Sequence, residues 1–241
     1  MTTRPGLFVS FEGIDGSGKS TQAHLLAERL RAAGRDVVLT REPGGSPGAE
    51  EIRALVLQGD PDRWSAETEL LLFTAARRDH LERTIRPALN RGATVICDRF
   101  ADSTRMYQGL SRGDLRAAVD SLHALMIGVE PDLTLLIDMD PQAALSRAKA
   151  RATAEERFED FGLPLQQRMR AGFLALAREF PARIRVIDGA RQQSAVAHGS
   201  DLARRAQRVP HDTADTLDRA AQRLDALART YHQFGERVEY E

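Results

Sequence analysis

Apolar residues along the chain fall into short continuous runs that alternate with stretches of helical spacing. Five runs predict buried strands, at residues 7–11, 37–39, 94–97, 133–137 and 184–187. Helical spacing recurs between them, at residues 19–33, 65–85, 115–127, 143–149 and 165–178. Short apolar strands separated by helices indicate an α/β fold with a five-stranded parallel sheet and helices on both faces. Ligands of such sheets bind beyond the carboxyl ends of the strands.

The pattern changes near residue 190. Beyond this point the sequence is rich in Ala, Arg and Gln, and one amphipathic helix is indicated around residues 217–231. We therefore expect a single domain over residues 1–190 and a C-terminal helical extension over residues 191–241. The extension could also bind a partner, an alternative that the pattern leaves open.

Composition and charge exclude several classes of protein. The 241 residues are 42% hydrophobic and 29% charged, and 34 basic residues balance 35 acidic ones. We expect no nucleic-acid partner, because a net charge of -1 provides no broad basic surface. No apolar run approaches the roughly 20 residues of a membrane span. The single cysteine, Cys97, excludes an intrachain disulfide and a cysteine-based zinc site. We expect a soluble, cytoplasmic protein.

A glycine-rich segment follows the first predicted strand. It matches G-x-x-x-x-G-K-[ST] and precedes a helix, as a phosphate-binding loop requires. Its residues are Gly13, Ile14, Asp15, Gly16, Ser17, Gly18, Lys19 and Ser20, with Thr21 next in the chain. Glycines let successive N–H groups face one anion, and the helix adds its positive end. Lys19 can reach the outer phosphates of ATP and the Ser20 hydroxyl can bind Mg²⁺.

The residues after the third predicted strand narrow the choice among phosphate-loop proteins. There is no Asn-Lys-x-Asp guanine-binding motif, and the strand ends in Asp98-Arg99 rather than the Asp-Glu pair of many motor ATPases. Asp98 can hold the water shell of a metal, and the Arg99 fork suits a second anionic group. The alternative is that Asp98 caps the next turn and pairs with Arg99.

Several polar and aromatic residues lie four positions apart, on shared helix faces. Phe73 and Arg77 could stack on a base and bond its edge, although Phe73 could equally be a core residue. Two further pairs follow Asp98-Arg99, namely Ser103 with Tyr107 and Thr104 with Gln108. They could line a pocket beside Arg99, or they could belong to a capped surface helix.

Taken together, these motifs resemble those of bacterial thymidylate kinases. The resemblance rests on TREPGG at 40–45, FTAAR at 73–77, Asp98-Arg99, DST at 102–104, YQG at 107–109 and PDLT at 131–134, behind the phosphate loop. It covers residues 5 to 190 and implies a P-loop nucleoside monophosphate kinase fold with a mobile lid. The implied activity is transfer of the ATP γ-phosphoryl group to dTMP, with Mg²⁺, in a homodimer.

The resemblance also implies roles for individual residues. Phe73, Arg77, Thr104 and Gln108 would recognise thymine, with Ser103 in the same pocket. Tyr107 would exclude a ribose 2′-hydroxyl, and Asp15 would meet the 3′-hydroxyl or the metal shell. The acceptor phosphate would be held by Arg99 and Arg53, beside a Glu42-Pro43 bond expected to be cis. Arg147 would lie against adenine, and the metal would be held through Ser20 and Asp98.

Gly16 assigns the chain to one type within this family. The eukaryotic-like type has an arginine at this position, so here the missing cation would come from the lid, expected at about residues 149–163. Arg157 is the matching residue, with Arg151 in support. Glu156 replaces the usual Asp before that arginine, and the segment is rich in alanine, so the lid register could differ by a few residues.

Two rival functions remain open at this stage. One is a kinase of the same fold for a deoxynucleoside or another monophosphate. The other is a regulatory module that hydrolyses ATP slowly without an acceptor. The second rival does not explain Arg77, Arg99 and Arg157, because a switch needs no acceptor pocket.

Overall fold

The fold is a parallel sheet of five strands. The computed structural model describes residues 6–60, 63–111, 114–149 and 162–190. Its strands are β1 (Leu7–Glu12), β2 (Val37–Arg41), β3 (Thr94–Asp98), β4 (Leu133–Asp138) and β5 (Ile184–Asp188), in the order β2-β3-β1-β4-β5. Each neighbouring pair is parallel. The predicted fold class and all five predicted strands are confirmed.

Helices cover both faces of the sheet. They are α1 (Lys19–Ala32), α2 (Pro47–Leu57), α3 (Ala66–His80), α4 (Arg86–Asn90), α5 (Ala101–Met106), α6 (Arg116–Leu122), α7 (Pro141–Lys149) and α8 (Gly162–Glu179). Helix α2 does not appear among the helices expected from the spacing. Its Gly- and Pro-containing start resembles a loop, yet Pro47 at the first helical position is favourable because its fixed φ suits a helix and no amide hydrogen is needed there.

The expected helices at 65–85 and 115–127 contain wider, π-helical turns. These turns are Leu81–Ile85 and His123–Ile127. The first lies directly before Arg86-Pro87, and Pro87 has no amide hydrogen for the regular helical ladder. A third such turn, Tyr107–Ser111, continues α5.

The core has three parts, and β1, which is buried on both faces, contributes to two of them. Leu7, Val9 and Phe11 pack with one face of α1, around Leu26 and Leu30. On the other face, Phe8 packs with Leu81, Ile85 and Phe100. A third cluster joins α5 to α8 through Met106, Met169 and Phe173. Burial of side chains of this size contributes about 1.5–3 kcal/mol each.

All five strands end at the same edge of the sheet. Charged residues close them there, namely Glu12, Arg41, Asp98, Asp138 and Asp188. In the strand order, β2 lies to one side of β1 and β4 lies to the other. The chain therefore runs in one direction from β1 to β2 and in the opposite direction from β3 to β4. A crevice at this reversal is where parallel sheets bind ligands. Among the described residues, none of the helices has the length and apolarity that crossing a bilayer requires.

Candidate active site

The phosphate loop joins β1 to α1, as predicted. Gly16 and Gly18 have φ angles of 81° and 96°, in the left-handed region that glycine adopts without strain. A Cβ added at Gly16 would lie 1.9 Å from the carbonyl oxygen of Ala144 in α7. Glycine is therefore required at this position for two reasons, its backbone conformation and its close packing against α7. Lys19 Nζ donates to Ile14 O at 3.3 Å, so the lysine folds back over the loop.

Arg99 has an unusual backbone. Its φ is 71°, and it is the sole non-glycine residue with positive φ in the described part of the chain. Such conformations cost about 1–3 kcal/mol and persist where the surroundings enforce them. Arg99 N donates to Phe11 O at 2.9 Å. The conformation directs the side chain toward the phosphate loop.

The Arg99 guanidinium lies among polar groups from the loop and from α5. Its Nη1 donates to Ser103 Oγ at 2.8 Å, and its Nη2 donates to Asp15 Oδ1 and, at 3.3 Å, to Tyr107 Oη. The guanidinium is also 5.1 Å from the centre of the Tyr107 ring. Arg99 thus pairs with Asp15 rather than with Asp98, and the alternative in which Asp98 and Arg99 pair with each other does not hold.

Asp15 accepts hydrogen bonds on both carboxylate oxygens. Lys19 Nζ lies 3.4 Å from Oδ1, and Tyr107 Oη donates to Oδ2 at 2.6 Å. Burial opposes ionisation of this carboxyl, but Arg99 and Lys19 outweigh it and hold the pKa of Asp15 well below its usual range. Burial raises the pKa of Tyr107, which keeps its hydroxyl protonated and able to donate.

Asp98 has an unsatisfied oxygen. Within the described residues, its Oδ1 is buried without a hydrogen-bond partner. Buried polar atoms almost always have a partner, so this atom is suited to an ion or a bound water. Ser20 lies in the first turn of α1, beside the same edge of the sheet. A carboxylate and a hydroxyl next to a phosphate loop fit Mg²⁺, which prefers oxygen ligands.

A second arginine, Arg77, lies deeper in the same crevice and is 4% exposed. Its Nε donates to Glu42 Oε2 at 2.6 Å and its Nη2 to Thr104 Oγ1 at 2.8 Å. Its guanidinium lies 5.1 Å from the centre of the Phe100 ring. Glu42 is also 3.0 Å from His80 Nδ1, and although burial opposes its ionisation, Arg77 keeps the pKa of Glu42 below its usual value. Arg77 is thus held in one orientation.

One cavity collects the predicted acceptor residues from six separate segments. It is lined by Asp15, Glu42, Pro43, Arg53, Leu57, Phe73, Arg77, Arg99, Phe100, Ser103, Thr104, Tyr107 and Gln108. Every residue expected to contact the acceptor is in this set. Gln108 Nε2 donates to Glu69 Oε1 at 2.7 Å, which fixes its amide at the wall. The Glu42-Pro43 bond is cis, as expected, and Arg53 Nη1 donates to the Pro43 carbonyl.

The residues expected to contact adenine and to form the lid are not among those that line this cavity. Arg147 is not part of the cavity wall; its Nη1 is 3.4 Å from Met139 Sδ, on the α7 side of the phosphate loop. Arg151 and Arg157 lie outside the described residues, as do positions 150–161 of the expected lid. Lys149 ends α7, and Gly162 begins α8.

Sequence reasoning missed three residues of this region. Leu57 and Phe100 add apolar surface to the cavity. Glu12, 1% exposed, lies below it and accepts from Phe100 N at 2.7 Å and from Ser103 Oγ at 2.6 Å. Burial, reinforced by the charge of Asp102, raises the pKa of Glu12 to about 7. The available signal was a glutamate at the end of an otherwise buried strand.

Known proteins resemble this chain over most of its length. A family model described as thymidylate kinase matches residues 11–198. The thymidylate kinase of Ruegeria pomeroyi is 80% identical over 192 residues, covering 80% of this chain and 91% of that protein. That of Dinoroseobacter shibae is 70% identical over 195 residues, covering 81% and 94%. A crystal structure of thymidylate kinase from Ehrlichia chaffeensis matches with a TM-score of 0.63 at 40% identity, covering 76% of this chain and 93% of that chain.

Proposed function

Because the chain belongs to the thymidylate kinase family, an ATP-dependent family of nucleoside monophosphate kinases, we propose how its cavity carries out the transfer of the ATP γ-phosphoryl group to dTMP, giving dTDP and ADP. The observation that carries the proposal is the position of Arg77 and Arg99 on one cavity beside the phosphate loop. Two fixed cations at different depths suit a base edge and a phosphate of the same nucleotide.

The deep end of the cavity would bind thymine. Phe73 and Arg77 are one turn apart on α3 and face the same space, so the ring can stack while the guanidinium bonds the base edge. Thr104, which accepts from Arg77, and Gln108 provide a hydroxyl and an amide on the same cavity, from α5 and the turn after it. Glu42 holds Arg77 from behind and prevents it from leaving the base edge.

The middle of the cavity would select the sugar. The Tyr107 ring is fixed between its hydrogen bond to Asp15 and the Arg99 guanidinium. A ring held in this way can fill the space that a 2′-hydroxyl would need. Asp15, which accepts hydrogen bonds, can in turn accept one from the sugar 3′-hydroxyl.

The acceptor phosphate would lie between Arg99 and Arg53, with Ser103 beside it. No general base is required, because a phosphate monoester is already an anionic nucleophile at neutral pH. Its oxygen attacks the γ-phosphorus as ADP leaves. Catalysis then depends on positioning and on charge stabilisation.

The donor would bind along the phosphate loop. Backbone amides from Gly13 to Thr21 would hold the phosphates, Lys19 would contact the outer ones, and Arg147 would lie against adenine. Asp98 and Ser20 would hold Mg²⁺, directly or through its waters. Magnesium bound there would neutralise charge on the donor phosphates.

We propose that the lid provides a further cation. Ala144 lies against Gly16, so a longer side chain at position 16 would force α7 to move. Arg157, with Arg151 in support, is the proposed source, at positions outside the described residues. A cation that arrives on closure stabilises the transition state more than the ground state.

A coupled assay of ADP release tests the proposed function. With ATP and Mg²⁺, we expect dTMP to stimulate ADP release much more than dUMP, dCMP, dGMP or thymidine. Strong stimulation by dUMP or dCMP without dTMP would identify another kinase of this fold. Slow ATP hydrolysis unaffected by any acceptor would favour the regulatory module.

The enzyme is further proposed to act as a homodimer in the cytoplasm. Large apolar side chains are exposed on α3 and on the turn after α6, where Leu71, Leu125 and Met126 are 57%, 75% and 43% exposed. The two segments are in contact, because Arg78 Nη1 donates to Met126 O at 2.6 Å. Pairing of this face with a second copy would bury it. Sedimentation should give twice the chain mass, and a monomeric mass would contradict the proposal.

The proposed cytoplasmic location agrees with the state of the cysteine. The single cysteine, Cys97, is a buried thiol, which suits a reducing compartment.

A further inference from the structure

Glu12 is a buried acid behind the acceptor cavity, and none of the roles above uses it. It ends β1 directly before the phosphate loop, is 1% exposed and does not line the cavity. Its Oε1 accepts from Phe100 N at 2.7 Å and from Ser103 N at 3.3 Å, and its Oε2 accepts from Ser103 Oγ at 2.6 Å. The two backbone amides can only donate and the Ser103 hydroxyl donates to Oε2, so this geometry matches the ionised carboxylate, which only accepts, although burial raises the pKa of Glu12.

These bonds connect Glu12 to Arg99 by two routes. Along the backbone, Phe100 N belongs to the residue immediately after Arg99, so Glu12 restrains the strained conformation of Arg99 from its carboxyl side. Through side chains, Ser103 Oγ accepts from Arg99 Nη1 at 2.8 Å while it donates its own proton to Glu12. The serine hydroxyl can do both only if its proton points toward the carboxylate.

The charge of Glu12 is therefore directed at Arg99. The other buried acid near it, Asp102, is already paired with Arg105 at 2.7 Å and with Arg183 at 2.6 Å. Asp15 holds Nη2 of Arg99, and the Glu12–Ser103 pair holds Nη1. Both ends of the fork are fixed before any phosphate arrives, which reduces the ordering cost of binding.

We propose that Glu12 is a positioning residue that sets the orientation of Arg99, through Ser103 and the Phe100 amide, for the acceptor phosphate. The inference rests on the proposed function, because it takes the phosphate of dTMP as the group that Arg99 binds. It distinguishes Glu12 from a residue that merely caps α5, since a cap would affect the whole cavity rather than the phosphate end alone.

The test compares dTMP with thymidine, which lacks the phosphate, by calorimetric titration in the absence of ATP. In E12Q the amide donates to Ser103 Oγ, so the serine proton is displaced and the charge behind Arg99 is lost. In S103A the link is removed while the backbone bonds of Glu12 stay. We expect each variant to bind dTMP about tenfold more weakly than wild type, with thymidine affinity within about twofold. D132N, the same acid-to-amide change beside Phe8 at the opposite end of β1, should match wild type for both ligands.

The double variant E12Q/S103A completes the test. If both residues act through one link, its dTMP affinity should be close to that of the weaker single variant. Wild-type dTMP affinity in E12Q, equal losses for dTMP and thymidine, or additive losses in the double variant would overturn the inference. Because Ser103 itself lines the cavity beside the proposed phosphate position, S103A does not decide alone. Should E12Q fail to fold, E12D, whose shorter side chain withdraws the carboxylate from Ser103 Oγ, takes its place and decides by the same selective loss or its absence. If the wild-type protein binds no dTMP, the proposed function and this inference both fail. If the wild-type protein binds dTMP and E12Q binds it equally well, only this inference fails.

Discussion

Arg99 illustrates how a single residue acquires its place in the site from several distant segments. Its backbone angle is one that an L residue rarely adopts, and its side chain is held by residues from the phosphate loop and from α5. The local sequence Asp98-Arg99 predicted that a cation would meet an anion at the end of β3. It did not predict the partners, because these depend on how β1, β3 and α5 pack.

Tyr107 should control the choice of sugar through its ring. Tyr107→Ala is expected to reduce the preference for dTMP over its ribose counterpart, ribothymidine monophosphate, because space opens for the 2′-hydroxyl. Tyr107→Phe is the matched control: it removes the hydrogen bond to Asp15 but keeps the ring, so the preference should stay near that of wild type. The measurement is kcat/KM for both nucleotides. Equal discrimination in the alanine variant and wild type would show that the sugar lies elsewhere.

Arg157 should act on turnover rather than on acceptor binding. Arg157→Ala is expected to lower kcat by about a thousandfold, the scale of a cation that contacts the transferred phosphoryl group. KM for dTMP should change little because the contact forms on closure. Arg178→Ala, an exposed arginine of α8, is the control and should behave as wild type. An R157A variant with normal kcat, or with a raised KM alone, would assign the lid cation to another residue.

At the scale of elements, the strands were predictable and several helix details were not. Runs such as 133–137 identify a buried strand because both faces of a parallel sheet are covered. The π-helical turn before Pro87 and the helix that begins at Pro47 depend on backbone hydrogen bonding that hydrophobic spacing does not encode. Likewise, Phe73 and Arg77 could be placed on one helix face, but the fixing of Arg77 by Glu42 required the loop after β2 to fold against α3.

The contact between α7 and the phosphate loop predicts that a substitution at Gly16 destabilises the protein. Gly16→Ala should destabilise the protein by about 1–3 kcal/mol more than Gly18→Ala, because its methyl group would meet Ala144. Both glycines have positive φ, but a Cβ at Gly18 would have no heavy atom within 4 Å. Both alanine variants therefore carry backbone strain, and the difference between their losses of stability measures the steric contact with Ala144. Denaturant unfolding measures the difference, and equal losses in both variants would contradict the packing.

For the molecule as a whole, the central claim is that two nucleotides bind head to tail across the carboxyl edge of one sheet. The donor would lie on the loop after β1, and the acceptor would lie in the cavity built from α2, α3, α5 and the residues that follow β2 and β3. The residues that share this cavity could be named from the sequence because their motifs are distinctive. Buried residues that hold them, such as Glu12, became apparent only from the packed structure.

A crystal structure of the protein with dTMP tests this claim most directly. We expect thymine to stack on Phe73 with its edge bonded to Arg77, and the phosphate to lie within hydrogen-bonding distance of Arg99, about 3 Å. A dTMP molecule bound elsewhere, or one whose phosphate points away from Arg99 and the phosphate loop, would contradict the account.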